Sequence, residues 1–382
     1  MPEIIKNIMI LRDVYKQLFN DLDKQKALIL LGPRQVGKTT LLQSLSKDWE
    51  DVLWLTGDEL ETQQIFENPT IARFKTELSG IKYLIIDEAQ RLPNVGLGLK
   101  LITDHIKHVQ LLVTGSSAFE LSNQLNESLL GRTFEYKLYP ISFTEMAKYH
   151  TLRIEKQLMP YRLIYGYYPD VVTHPNDAKK ILQNLVQNFL YKDMLLLEGV
   201  KKPDKIVKLL QALAFQVGNQ VSYNELSNLI GLNSVTVEKY IIMLEQSFVL
   251  FRLSSFSRNL RSELSKSRKI YFYDNGIRNA LIGNFTSIET RIDAGALWEN
   301  FLISERLKLL QYNERWAHRY FWRTTEQQEI DYVEEEEGKL SAFEFKWKKN
   351  SKAKVCKTFL NTYPNASTTI ITPENYETFI NP

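Results

Sequence analysis

An α/β fold built on a parallel sheet is what residues 27–142 predict, and three observations carry that expectation. Apolar runs of strand length recur at 27–31, 52–56, 83–87 and 110–114. Those runs are continuous rather than alternating in polarity, as strands buried on both faces are. Stretches of helix length separate them, and strands alternating with helices make a parallel sheet with both faces covered. The chain has 382 residues, too many for one compact core, so further domains are expected.

The first run is followed by Gly32, Pro33, Arg34, Gln35, Val36, Gly37, Lys38, Thr39 and Thr40, which fits G-x-x-x-x-G-K-[ST]. A strand before it and a helix behind it make this a phosphate-binding loop rather than a chance glycine turn. Gly32 and Gly37 let the backbone wrap a phosphate without a Cβ in the way. Successive N–H groups and the helix N-terminus then face the anion. The expected ligand is ATP with Mg²⁺, Lys38 reaching the β- and γ-phosphates and Thr39 holding the metal.

The run at 83–87 ends in Asp87 and Glu88, at the strand edge where open α/β sheets gather their ligands. Asp87 is expected to bind Mg²⁺ through its hydration shell. Glu88 is expected to orient or deprotonate the attacking water. The run at 110–114 ends in hydroxyls, and Thr114 or Ser116 would bond the γ-phosphate or the water. Strand-end capping is the competing reading there. Arg132 would neutralise transition-state charge, in cis or from a neighbouring subunit, or else form an ordinary surface ion pair.

Composition narrows the rest. Net charge is +3, which permits nucleic acid without requiring it. The single cysteine, Cys356, excludes an intramolecular disulfide and a cysteine metal cluster. His105 and His108 share a helix face but have no third ligand, so a solvated surface is expected. Charges interrupt the first residues too early for a secretory leader, and no apolar run approaches the ~20 residues of a membrane helix. A soluble, cytoplasmic protein without membrane contact is the expectation.

The residues GPRQVGKTT, YLIIDEAQ, LLVTGSS, LLGRTFEYKLYPISFTEM and GYYPDVV resemble a broad prokaryotic family, AAA+-type ATPases of the AAA_14 kind with a C-terminal DUF4143 domain. The resemblance covers nearly the whole chain. It implies an AAA+-like P-loop core with Lys38, Asp87 and Glu88 in the ATPase roles above, and it places Arg132 at the family's Gly-Arg position.

The expected division is an ATPase domain over 1–150, a helical connector over 151–202, a winged helix over 203–280 and a DUF4143 domain over 281–382. In 203–275, Ile206, Leu210, Leu213 and Val217 recur at helical spacing. Ser222 to Glu225 reads as a capping box, and Val237, Tyr240, Ile241 and Leu244 give a third helix its apolar face. A hairpin follows, completing a winged helix-turn-helix pattern. Its basic loop carries Arg258, Arg261, Lys266, Arg268 and Lys269 against Glu263, which suits phosphate contacts. The recognition helix, 234–246, has only Lys239 against Glu238 and Glu245, and base readout wants Arg, Asn or Gln. DNA and a protein partner therefore both stand as readings.

In the last unit Asp331, a turn, then Glu344-Phe-Lys346 is the pattern of PD-(D/E)xK nucleases, a restriction-endonuclease-like fold. Residues two apart in a strand share a face, so Glu344 and Lys346 would point the same way with Asp331 opposite. Asp331 and Glu344 would hold Mg²⁺ while Lys346 activates water. Glu299, from the preceding helix, would add a carboxylate, and the family places a glutamate there. Lys348, Lys349, Lys352, Lys354 and Lys357 follow as a phosphate-binding or simply solvated face. Two alternatives follow from this half. One is a regulatory ATPase that binds protein and keeps only a vestigial nuclease site. The other is a metal-dependent nuclease regulated by ATP.

Overall fold

The structure, a computed structural model, describes residues 9–116, 129–188, 202–257, 268–324, 326–348 and 356–381. The chain forms two compact units, Met1–Ile141 with Gln246–Phe248, and Ser142–Glu245 with Val249–Pro382.

In the first unit the strands are β1 (Ala27–Leu31), β2 (Val52–Thr56), β3 (Tyr83–Asp87), β4 (Gln110–Gly115) and β5 (Thr133–Lys137). Every pairing is parallel, and the order is β2-β3-β4-β1-β5. β1, β3 and β4 are buried at every position, which is why their sequences run apolar on both faces. The helices are α1 (Val14–Asn20), α2 (Lys38–Leu45), α3 (Leu60–Glu67), α4 (Ile71–Glu77) and α5 (Val95–His105). Asn68-Pro69 ends α3, and Thr70 restarts the chain by accepting the Arg73 N–H as the cap of α4. Leu31 lies opposite Gly115, and Ile86 opposite Val113. The carboxyl ends of β1 and β3 therefore meet at one edge with the end of β4 between them.

The second unit begins at Ser142, so the division expected at residue 150 falls earlier. Ser142 and Glu145 form a capping box that starts α6 (Phe143–Tyr149). The segment expected as a connector is part of the packed unit as far as it is described. It forms α7 (Leu152–Gln157), α8 (Met159–Tyr165), α9 (Pro169–Thr173) and α10 (Ala178–Leu185). Asn279 donates to the carbonyls of Leu163 and Ile164 at 3.1 and 2.8 Å, satisfying the end of α8. Gly166 has a φ of +72°, and a Cβ there would lie 2.1 Å from Asp274 Oδ1. That approach lets Asp274 accept the Tyr167 N–H at 2.6 Å.

Next come α11 (Pro203–Phe215), β6 (Gln220–Val221), α12 (Tyr223–Ile230), α13 (Ser234–Gln246), β7 (Leu250–Ser255), β8 (Arg268–Phe272) and α14 (Asn275–Leu281). The C-terminal run is α15 (Ala294–Tyr312), β9 (His318–Arg323), β10 (Glu329–Glu336), β11 (Lys339–Phe345), α16 (Lys357–Thr362), β12 (Ser367–Ile371) and α17 (Glu377–Ile380). One sheet takes in all these strands, in the order β12-β11-β10-β9-β7-β8-β6. β7 and β9 pair in parallel at Ser254↔Tyr320 and Ser255↔Phe321. A boundary at 280/281 would cut this sheet, so the two segments expected as separate domains are one folded body. α15 is buried nearly all round, with Leu297, Trp298 and Leu302 fully inside, and it lacks an amphipathic pattern for that reason.

Candidate active site and a second carboxylate cluster

The phosphate loop leaves β1 at Gly32 and enters α2 at Lys38. Gly32 is required by a close approach, since a Cβ there would lie 2.1 Å from the Leu138 carbonyl oxygen. Gly37 has a φ of +94°, a conformation that disfavours every residue with a Cβ. Pro33 and Val36 are buried, Arg34 and Thr39 are half-buried, and Gln35 and Thr40 are exposed. Lys38 is buried and donates to the carbonyls of Gly32 and Pro33 at 2.8 and 2.9 Å. Burial lowers its pKa from 10.5 to about 8, with Glu88 and Asp87 opposing that shift and Arg34 adding to it. An arriving phosphate would relieve that cost.

Thr39 donates to Asp87 Oδ2 at 2.7 Å. A hydroxyl and a carboxylate side by side are the oxygen donors that Mg²⁺ takes together with water, so these residues fit the ion. Thr114, fully buried on β4, donates to Asp87 Oδ1 and accepts the Glu88 N–H at 3.0 Å. Its hydroxyl thus ties Asp87 to the Glu88 backbone. Glu88 sits at φ +51°, an uncommon backbone state for a glutamate and one often found at functional positions. Gln90 donates to Glu88 Oε2 at 2.5 Å and to Ser116 Oγ at 2.7 Å. Ser116 therefore joins the site through Gln90. The arrangement would suit a cation for phosphate, a metal-binding pair and a carboxylate held for water.

Two contributors escaped the sequence reading. Gln90 stands in the quoted motif, two residues after Glu88, but carried no role. Arg12 donates to the carbonyls of Val36 at 2.9 Å and Tyr139 at 2.6 Å, bracing the loop from behind. Nothing local in the sequence marks it.

Arg132 lies elsewhere. Its carbonyl accepts the Ala27 N–H, and the next residue, Thr133, pairs with Ala27 at the amino end of β1. The phosphate loop is at the other end of that strand, about 16 Å away at ~3.3 Å per residue. Arg132 Nε bonds Asp104 at 2.7 Å instead. The role in cis is corrected, because the side chain faces the wrong edge of the sheet.

In the second unit Asp331 on β10 and Glu344 on β11 are cross-strand neighbours. Asp331 accepts the Phe345 N–H at 2.7 Å, and its own N–H lies 3.4 Å from Glu344 Oε2. Burial, reinforced by Glu344, raises the Asp331 pKa from 3.8 to about 7. Lys346 Nζ is 3.8 Å from Glu344 Oε1. Glu299 reaches the same cluster from α15 and is raised from 4.5 to about 7, by burial first. The four predicted residues thus come together. Among the described residues no group of three His, Cys, Asp or Glu side chains is placed to hold a metal, so the Mg²⁺ expected here would rest on Asp331 and Glu344 alone. Lys269 instead puts its ammonium between Glu299 and Glu329, at 3.1 and 2.5 Å.

Of the basic hairpin loop, Arg258, Arg261 and Lys266 lie outside the described residues, as do Lys349, Lys352 and Lys354. Arg268 and Arg252 are held by acids of α13. Arg268 bonds Glu238 at 2.9 Å and Arg252 bonds Glu245 at 2.5 Å. No helix among the described residues is long and apolar enough to cross a membrane.

Three family models match this chain, and the last two part within the second unit. Residues 24–147 match the family described as AAA domain, 156–287 the domain of unknown function DUF8612, and 294–380 the domain of unknown function DUF4143. An uncharacterized protein of Mycobacterium tuberculosis is 28% identical over 341 residues, covering 88% of this chain and 73% of that protein. An uncharacterized protein of Haemophilus influenzae is 27% identical over 307 residues, covering 72% of this chain and 74% of that one. A solved structure, a Walker-type ATPase of Pyrococcus abyssi, is similar at 15% identity with a TM-score of 0.47, covering 71% of this chain and 95% of the other. That likeness is too distant to speak for function. The matched segments fall on the phosphate-loop sheet and on the C-terminal strands: the chain carries an AAA domain and, C-terminal to it, a DUF4143 domain.

Proposed function

We propose that the first unit binds ATP with Mg²⁺ and hydrolyses it, and that turnover acts as a switch on the second unit. The observation that carries this reading is one hydrogen-bonded chain. Thr39 bonds Asp87, Asp87 bonds Thr114, and Thr114 bonds the Glu88 backbone. Lys38 and Thr39 would hold the nucleotide and metal. Glu88, steadied by Gln90, would take the proton of the attacking water. The test is ATP turnover by the purified chain with Mg²⁺, with and without double-stranded DNA. Lys38→Ala should abolish turnover, and activity surviving that change would sink the proposal.

The partner of the second unit has two readings. The element order from α11 to β8 supports a winged helix, with nucleic acid as its ligand and turnover stimulated by DNA. The ion pairs of Arg252 and Arg268 with Glu245 and Glu238 favour a protein partner instead. They put acids on the helix that would face bases, and they neutralise the basic strand beneath it. Turnover indifferent to DNA at low salt would decide for protein. The Asp331, Glu344 and Lys346 arrangement supports a PD-(D/E)xK-like framework. The Lys269 ammonium lodged against Glu299 and Glu329 supports a site that no longer cuts.

A further inference from the structure

Four carboxylates, Glu299, Glu329, Asp331 and Glu344, crowd one region of the second unit. A cluster of that charge needs a cation, and burying an unpaired ammonium is equally costly. Lys269 answers both needs. Its side chain is 2% exposed, with Nζ 3.1 Å from Glu299 Oε1, 2.5 Å from Glu329 Oε1 and 5.5 Å from the Phe321 ring centre. Burial by itself would lower the Lys269 pKa, but Glu299, Glu329 and Asp331 outweigh it and raise it, so the ammonium stays charged. Tyr271, two residues along and on the same face of β8, donates to Glu299 Oε1 at 2.6 Å. Glu299 is thus engaged by Lys269 and Tyr271, and Asp331 Oδ2 accepts the Phe345 N–H.

We propose that Lys269 is the resident cation of this cluster and stands where a divalent ion would otherwise bind, so that the site is metal-independent. The cation and the carboxylates come from differently matched segments. Lys269 lies within 156–287, whereas Glu299, Glu329, Asp331 and Glu344 lie within 294–380. The proposal is separate from the ATPase reading and stands or falls without it.

The test is Mn²⁺ binding to the full-length chain without nucleotide, read by electron paramagnetic resonance of the free ion. It is done in an Asp87→Asn background so that the phosphate-loop site does not contribute. The chain with Lys269 intact should retain no Mn²⁺ that depends on Asp331. Lys269→Met should gain a site at least about tenfold tighter, and adding Asp331→Asn should remove it. Asp331-dependent Mn²⁺ binding with Lys269 in place would overturn the proposal. So would a Lys269→Met chain that folds by circular dichroism yet gains nothing. If Lys269→Met does not fold, binding by the intact chain decides the matter by itself.

Discussion

The two polar clusters of this molecule place a lysine among carboxylates in opposite ways. At the phosphate loop, Lys38 is held by the carbonyls of Gly32 and Pro33, and its charge is poorly compensated, with burial lowering its pKa to about 8. In the C-terminal cluster, Lys269 is held by carboxylates that raise its pKa. A cation short of counter-charge is ready for an incoming anion. A cation already paired closes its site to another cation. On the proposed readings, the same residue type makes one cluster a receptor and the other a sealed structural centre.

The largest effect that would sharpen this contrast is expected from Glu88→Gln. ATP should still bind, while turnover falls by about 10²–10⁴-fold, measured as phosphate release. Comparable binding with unchanged turnover would remove Glu88 from the chemistry. Thr114→Val keeps the shape and deletes the hydroxyl that joins Asp87 to Glu88. It should slow turnover by about tenfold or more and cost about 1–3 kcal/mol of stability in denaturant unfolding.

The pH dependence separates the clusters more finely. Phosphate bound near Lys38 would raise its pKa from about 8, so nucleotide binding should take up a proton above that pH. Affinity should then fall by up to about tenfold per pH unit over the next unit or two, which calorimetry in buffers of different ionisation heat will read. At the other cluster the sign concerns folding. Asp331 titrates at about 7 when folded, above its ordinary 3.8. The folded chain therefore holds more protons than the unfolded one between those values, and this group's contribution to stability falls as pH rises through that window. Asp331→Asn keeps an acceptor for the Phe345 N–H and removes a charge that faces Glu344, Glu299 and Lys269. It should stabilise by about 1 kcal/mol at pH 8 and by much less at pH 4.5. The smallest effect should come from Arg132→Ala, with turnover unchanged in dilute solution and stability lowered by at most about 1 kcal/mol. Slower turnover that emerges only as protein concentration rises would put Arg132 in a neighbouring chain's site.

What the sequence made legible follows the same contrast. The phosphate loop, Asp87, Glu88 and the strands that carry them are local patterns: a glycine turn between a buried strand and a helix can be read without knowing what packs on it. Thr114 was visible as a hydroxyl at a strand end, yet its bond to Asp87 follows from the order β3-β4-β1, which no local pattern encodes. Glu344 and Lys346 were readable because alternation fixes their common face. Lys269 had the look of one more basic residue in a charged loop. Its place on β8, in the order β10-β9-β7-β8, is what brings it to the carboxylates. Arg132 was left open between a site role and a surface ion pair, and its bond to Asp104 at the amino end of β5 favours the second.

The pairing of β7 with β9 also bears on how the molecule can be taken apart or exchanged. A fragment ending near residue 287 would expose β7 as an open, hydrogen-bond-hungry edge and leave Lys269 without its counter-charges. The complementary fragment would keep the acids and lose the lysine. Residues 156–287 and 294–380 should therefore fold only together, and a chimera that draws the two from different relatives should be insoluble unless position 269 and its acidic partners travel together.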